Sequence, residues 1–375
     1  MEKQKNDFVN NVADFARQYI LVRPELGHEK QFPTDIWKAM GERGLLDPHA
    51  QGIDTASPCQ NIASGAMALV ENGGNLGLSL SWMIHHLVSR YLVYPYRNNE
   101  KLPGFWDDIR SGKSTICLAV SEPKAGAHPK FMSVQADKKD DFFILSGQKT
   151  YLTNGPISDY FLVVAITGQT QGRKEFSAFL VDKEAPGLKV EPPMDIPFFK
   201  PSPHGGITME ECRVSTETLV GTPGSAYEEM VLPFRRLEDA AMTGSVAGAM
   251  RFILAQTAKT LGNSGSLEKE THQALGNLKA TTDAAVYLSG QISCLADAHD
   301  DQDADPLMDS LVIHFKETAS LFMTRIKEFW EKAGHCPDSQ VEILAKDLLS
   351  SSKIGKTVSG IKQQKMGQRL LDLTD

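Results

Sequence analysis

Cysteine is scarce and scattered. The five residues Cys59, Cys117, Cys212, Cys294 and Cys336 include no Cys-x-x-Cys pair, which excludes a zinc finger, offers no disulfide framework and points to a reducing compartment. Basic residues are never massed: 39 Lys and Arg stand against 47 Asp and Glu, for a formal net charge of −8 and a pI of about 5.7. A nucleic-acid partner is therefore not expected. There is no uninterrupted apolar run of membrane-spanning length, and Glu2, Lys3, Lys5 and Asp7 lead into an amphipathic pattern unlike a signal peptide. A cytoplasmic protein without a membrane span is the expectation. No metal site is expected either. His85 and His86 are adjacent, so on a helix they point in different directions and suit core packing or a lone substrate contact. The stretch Asp300 to Asp305 lacks the Gly and terminal Glu of a calcium loop and reads as a solvated loop.

What is present is apolar content of 41% in 375 residues, enough for two or three packed units. Phe8, Val9, Val12, Phe15 and Ala16 recur at helical spacing, and a second helix is expected after Pro33 with Trp37 and Met40 inward. A longer helix is expected over Leu69 to Leu92, and another from Phe105 to Ile109 that stops at Ser111-Gly112. Between Ser114 and Leu219 the period falls to two. Short apolar runs at Phe142 to Leu145, Tyr160 to Ala165, Phe176 to Val181, Leu188 to Val190 and Ile207 to Met209 are separated by Gly and Pro turns, the pattern of an antiparallel sheet or barrel. Helical spacing returns from Ala226, with further helices expected over Glu268 to Ala298, Pro306 to Lys332, Gln340 to Leu349 and Val358 to Leu371. The small residues from Ala240 to Ala249 and the apolar positions from Leu311 to Trp330 suit close helix packing, within one chain or between subunits. The fold class is α+β: an N-terminal helical domain (1–113), a central antiparallel β domain (114–222) and a C-terminal helical bundle (223–375).

Two segments look shaped by a ligand. In Leu118-Ala-Val-Ser-Glu-Pro-Lys-Ala-Gly-Ala-His128 an apolar run is cut by Pro123, and the small residues Ala125, Gly126 and Ala127 leave room for an anion or a flat polar ring to approach the backbone. In Gly147-Gln-Lys-Thr-Tyr-Leu-Thr-Asn-Gly155 a strand pattern places Tyr151 and Thr153 on one face and ends at an Asn-Gly corner, as in a hairpin. An aromatic plane beside a hydroxyl suits a flavin.

Together, Ser-Glu-Pro-x-Ala-Gly and Gly-x-Lys-x-(aromatic)-x-Thr-Asn resemble the acyl-CoA dehydrogenase family, and the order helices, strands, helices is similar over the whole chain. The resemblance implies FAD as cofactor, with Leu118, Val120, Ser121, Gly126, Ala127, Tyr151, Leu152 and Thr153 as its contacts. It implies Ala127 and Arg236 as substrate contacts, an acyl-CoA or related thioester as substrate and a place in fatty acid metabolism. It also implies an electron-transfer flavoprotein as electron acceptor, and a homo-oligomer or a hetero-oligomer with a homologue.

The chain departs from the family where the base and the remaining flavin contacts belong. The usual carboxylate falls at Ile354-Gly355-Lys356-Thr357, which holds no acid, and the alternative position before Arg236 is Arg235. The family's Arg-x-x-Phe-Gly falls near Leu261-Gly-Asn-Ser-Gly-Ser266, and its Gln-x-x-Gly-Gly near Trp330-Glu-Lys-Ala-Gly334; the Arg, the Phe and the Gln are all missing. Ser121 replaces Thr, Tyr151 replaces Trp, and Ala127-His128 replaces Ser-Asp. With a pyrophosphate cation gone, weak FAD binding is expected. Glu238 is the remaining candidate base, one turn from Arg235, and an i, i+3 ion pair with Arg235 explains the same spacing. Three readings remain: a dehydrogenase with a moved base, a same-fold flavoenzyme such as a monooxygenase, and a non-catalytic subunit paired with an active homologue.

Overall fold

The computed structural model describes residues 2–48, 58–96, 104–262, 268–298, 306–353 and 356–372. Five helices come first: α1 Glu2–Phe15, α2 Thr34–Glu42, α3 Pro58–Gly73, α4 Leu76–His86 and α5 Phe105–Arg110. Eight strands follow: β1 Ile116–Ala119, β2 Gln135–Lys138, β3 Phe142–Thr153, β4 Tyr160–Thr170, β5 Arg173–Asp182, β6 Leu188–Val190, β7 His204–Ser215 and β8 Leu219–Val220. The chain then returns to helices α6 Leu232–Gly262, α7 Lys269–Ala298, α8 Pro306–Ala333, α9 Ser339–Lys353 and α10 Lys356–Asp372. The fold is α+β, with helical N- and C-terminal regions around an antiparallel-rich sheet. Among the described residues no helix is long and apolar enough to cross a membrane, and no group of three or more potential metal ligands gathers.

The chain forms two compact units, Met1–Gly27 with Thr55–Ser79 and Asp239–Asp375, and His28–Asp54 with Leu80–Glu238. In the first, the small residues of α6 let its backbone meet α3: a Cβ on Gly244 would stand 2.0 Å from the Ala63 carbonyl oxygen, and one on Gly248 2.5 Å from that of Met67. Only glycine allows that approach. The Ser79 and Ser245 hydroxyls meet at 2.9 Å in the same contact, so part of the small-residue stripe serves packing within the chain.

The expected single helix from Leu69 to Leu92 is two helices. Gly74 takes a left-handed φ of +67°, and the Asn75 side chain accepts a hydrogen bond from Leu78 N at 2.8 Å, starting α4 afresh. The later helices lie close to where their periodicity places them. The stretch Asp300 to Asp305 lies outside the described residues.

The second unit holds the sheet, in the order β6-β7-β3-β2-β4-β5-β8, with β1 paired to β4. It is not wholly antiparallel, since β1 and β2 both run parallel to β4. Its core is the inward set of alternate residues, including Cys117, Phe143, Phe161, Val163, Phe179 and Ile207. Strand β2 escapes sequence reading because Gln135-Ala-Asp-Lys138 buries only Ala136. His85 and His86 are fully buried in this unit. His86 Nε2 lies 2.8 Å from the Leu45 carbonyl, and the His85 ring packs edge-on to Trp37. Burial, added to mutual repulsion for His85, lowers their pKa values to about 3 and about 4, so both are neutral core residues near pH 7.

Candidate active site

The first ligand-shaped segment leaves β1 and folds back at once. Glu122 and Gly126 exchange backbone hydrogen bonds of 2.9 Å each way, and Lys124 and Gly126 take positive φ to close the turn. The Glu122 side chain turns inward. Its Oε2 accepts from Ser133 N at 2.6 Å and Ser133 Oγ at 2.9 Å, while Oε1 accepts from Val134 N at 3.1 Å and Lys149 Nζ at 2.9 Å. Lys149 Nζ also donates to the Val120 carbonyl at 2.9 Å. Burial lowers the Lys149 pKa to about 8. At Glu122 burial pushes the pKa up, but the Lys149 charge and the hydrogen bonds outweigh it, and the net shift is downward. A fully satisfied ion pair therefore joins the two segments beneath the ligand-facing surface. Sequence reading gave neither residue a role, although a lysine within an apolar strand was the available signal.

Thr150 N donates to the Ser121 carbonyl at 2.8 Å, which sets Ser121 beside the second segment. There the pairing of β3 with β7 shifts register between Lys149 and Leu152, and Tyr151 takes a φ of 57°. This bulge breaks the regular alternation expected through Tyr151 and Thr153, and turns the Tyr151 ring outward, 65% exposed. The Asn-Gly corner is not a hairpin. Asn154, buried and left-handed, opens a 3₁₀ turn at Gly155–Ile157, and its side chain donates to the Ser81 carbonyl at 2.9 Å. Strand β3 pairs with β2 and β7 rather than with the strand that follows it.

A cavity of about 290 Å³ lies over these segments. Leu118, Val120, Ser121 and Ala127 form one wall and Tyr151, Leu152 and Thr153 another; Ile84 of α4 closes a third side. The remainder comes from Val231 and from Phe234, Arg235 and Glu238 of α6. Seven residues from the two motifs thus meet Glu238 in one place. Gly126 and Arg236 are not among the lining residues, whereas Arg235 is.

The expected ion pair between Arg235 and Glu238 does not form. Among the described residues Arg235 is paired with no carboxylate, and its neighbour is the phenol of Tyr227. Tyr227 in turn donates to the Ala127 carbonyl at 3.3 Å and packs against Phe176 with centroids 5.6 Å apart. Val231, Phe234 and Ile84 were not anticipated, because their place on the wall depends on tertiary packing.

The donor set suits a flavin ring: one exposed aromatic face and two hydroxyls, with Arg235 and Glu238 the charged groups on walls that are otherwise apolar. Ser121 and Thr153 can donate to ring heteroatoms while Tyr151 covers a face. The positions expected to reach the pyrophosphate, Asn263 to Ser266, and the site of the usual carboxylate, Ile354-Gly355, lie outside the described residues.

Residues 117–212 match the acyl-CoA dehydrogenase middle domain. The chain is 29% identical over 238 residues to the mitochondrial 2-methylacyl-CoA dehydrogenase of Solanum tuberosum, covering 60% of this chain and 55% of that protein. It is 30% identical over 186 residues to an acyl-CoA dehydrogenase of Bacillus subtilis, covering 48% of each. The chain thus spans about half the length of these curated relatives. The butyryl-CoA dehydrogenase of Megasphaera elsdenii superposes with a TM-score of 0.81 at 15% identity, over 98% of both chains. Its likeness is one of fold; the matched middle domain and the sequence relatives support membership of the acyl-CoA dehydrogenase family.

Proposed function

We propose that this chain is a flavin-dependent oxidoreductase that oxidises an acyl thioester, with Glu238 as the proton acceptor. The observation that carries the reading is that Glu238 lines the same cavity as Ser121, Tyr151 and Thr153. Bound FAD supplies the hydride acceptor for the substrate β-carbon. Glu238 takes the α-proton onto a carboxylate oxygen, a role open to a half-buried acid on the cavity wall. Ser121 and Thr153 donate hydrogen bonds that orient the flavin ring, and Tyr151 shields one face. Leu118, Val120, Leu152 and Phe234 keep water from the reacting carbons. Ala127 lies along the substrate path, and its carbonyl is already engaged by Tyr227.

Lacking an Arg in Leu261 to Ser266, the chain holds FAD weakly and passes electrons to an electron-transfer flavoprotein. It assembles with itself or with a homologue that supplies the missing contacts. Glu238 stands a helical turn from the position before Arg236, about 4.5 Å along the axis, so proton transfer is slow for this family. The test is anaerobic mixing of the FAD-loaded chain with acyl-CoA, followed by flavin absorbance. Wild type should bleach slowly, and Glu238→Gln should bleach about a hundredfold to ten-thousandfold more slowly with FAD affinity unchanged. Equal rates in the two proteins would remove Glu238 from the chemistry. No bleaching of wild type by any acyl-CoA would favour a non-catalytic subunit.

A further inference from the structure

Asn154 is fully buried, and it is not among the residues that line the cavity. It joins three segments of the sheet-bearing unit. Its Nδ2 donates to the Ser81 carbonyl of α4 at 2.9 Å, and its backbone N donates to the Pro203 carbonyl, just ahead of β7, at 2.8 Å. The residue before it on β3 is Thr153, and three positions after Ser81 on α4 comes Ile84; both are cavity walls. One amide therefore ties two walls together from behind.

Stability alone does not select this side chain. The backbone at Asn154 is left-handed, with a φ of 66°, a conformation in which glycine is unstrained. Asn154 Oδ1 is buried and has no hydrogen-bond partner among the described residues, a cost that glycine would not carry. What the amide adds in return is a fixed separation between the end of β3 and α4. We infer that Asn154 is a positioning residue for the flavin: by holding the end of β3 to α4 it sets where the Thr153 hydroxyl stands against the ring, without touching the ring itself. The inference rests on the reading that the cavity takes FAD, and it names what aims one of the two hydroxyls.

The test loads the full chain with FAD and reads FAD affinity, the visible flavin spectrum and the flavin reduction potential, beside the unfolding midpoint of the FAD-free chain. In Asn154→Gly the lost bond and the removed orphan oxygen oppose each other, so the midpoint should stay within about 2–4 °C of wild type. FAD affinity should fall up to about tenfold, and spectrum and potential should shift as they do in Thr153→Val. Asn154→Asp keeps the volume and tolerates a left-handed φ while losing the donor, and should give the same flavin changes. Once Thr153 is Val, Asn154→Gly should shift the spectrum and potential no further, because the amide acts through that hydroxyl. Ser202→Ala removes a neighbouring buried bond, from Ser81 Oγ to Ser202 Oγ at 2.9 Å, without touching the amide, and should leave the flavin as in wild type. The inference is overturned if both Asn154 variants keep the wild-type spectrum and potential, if Ser202→Ala shifts them equally, or if the shifts from Asn154→Gly and Thr153→Val add. Failure of wild type to take up FAD would overturn it together with the reading it rests on, whereas uptake that does not depend on the amide would overturn the inference alone.

Discussion

Replacing Lys149 with Met should both destabilise the sheet-bearing unit and loosen the cavity above it. The Lys149 side chain is fully buried and Glu122 is 3% exposed, so the substitution strands a carboxylate in the interior. Three donors from Ser133 and Val134 still reach that carboxylate, but no positive charge does. Breaking a buried pair from one side costs about 3–5 kcal/mol, and loss of the bond to the Val120 carbonyl falls within that figure. Urea unfolding followed by tryptophan fluorescence measures it, since Trp37, Trp82 and Trp106 lie in this unit. The double variant Glu122→Gln/Lys149→Met removes both charges and should cost less than the sum of the single variants by about 0.5–3 kcal/mol. The sign of the pH dependence follows from Glu122, whose folded pKa lies below the ordinary carboxyl value of 4.5. Its contribution is present above the unfolded pKa and is lost as pH falls through the folded value, so wild type and Lys149→Met should converge in acid. Because Lys149 Nζ holds Val120, and Thr150 N holds Ser121, FAD affinity should fall alongside stability. A cost under about 1 kcal/mol with no coupling in the cycle would refute the view that this pair fastens the two segments.

The buried histidines give a second pH dependence. Their folded pKa values of about 3 and about 4 lie below the unfolded 6.5, so the stability they allow is complete above pH 6.5 and falls as pH drops below it. At pH 5 the loss is about 2 kcal/mol for each, and imidazole NMR signals that titrate near 6.5 in the folded protein would contradict it. FAD should be removed by extensive dialysis, and protein that stays fully yellow would show that the missing Arg is compensated elsewhere.

The sequence made most of the helices and strands legible, and where it failed the cause was tertiary. Strand β2 has one buried residue, so its pattern carries no period, and it exists because β3 and β4 offer edges to pair with. The break before α4 needed the Gly74 backbone and the Asn75 cap to be weighed above a run of apolar residues that continues on either side. Within the site, the two motifs announced themselves through their turn chemistry. The bulge at Tyr151 did not, because a bulge is a property of register against β7 and not of β3 alone.

Arg235 shows how far such reading reaches. Helical spacing correctly placed Arg235 and Glu238 on one face, and pairing them was the local expectation. The guanidinium instead stands near the phenol of Tyr227, eight positions earlier in the chain and itself anchored to Ala127 and Phe176. That leaves a positive charge on the cavity wall that Glu238 also lines. The substitution that looks in sequence like loss of a base therefore has a structural consequence of its own. Where an acid before Arg236 would remove a proton, a cation there cannot, and the chemistry left to Glu238 would take place beside that charge.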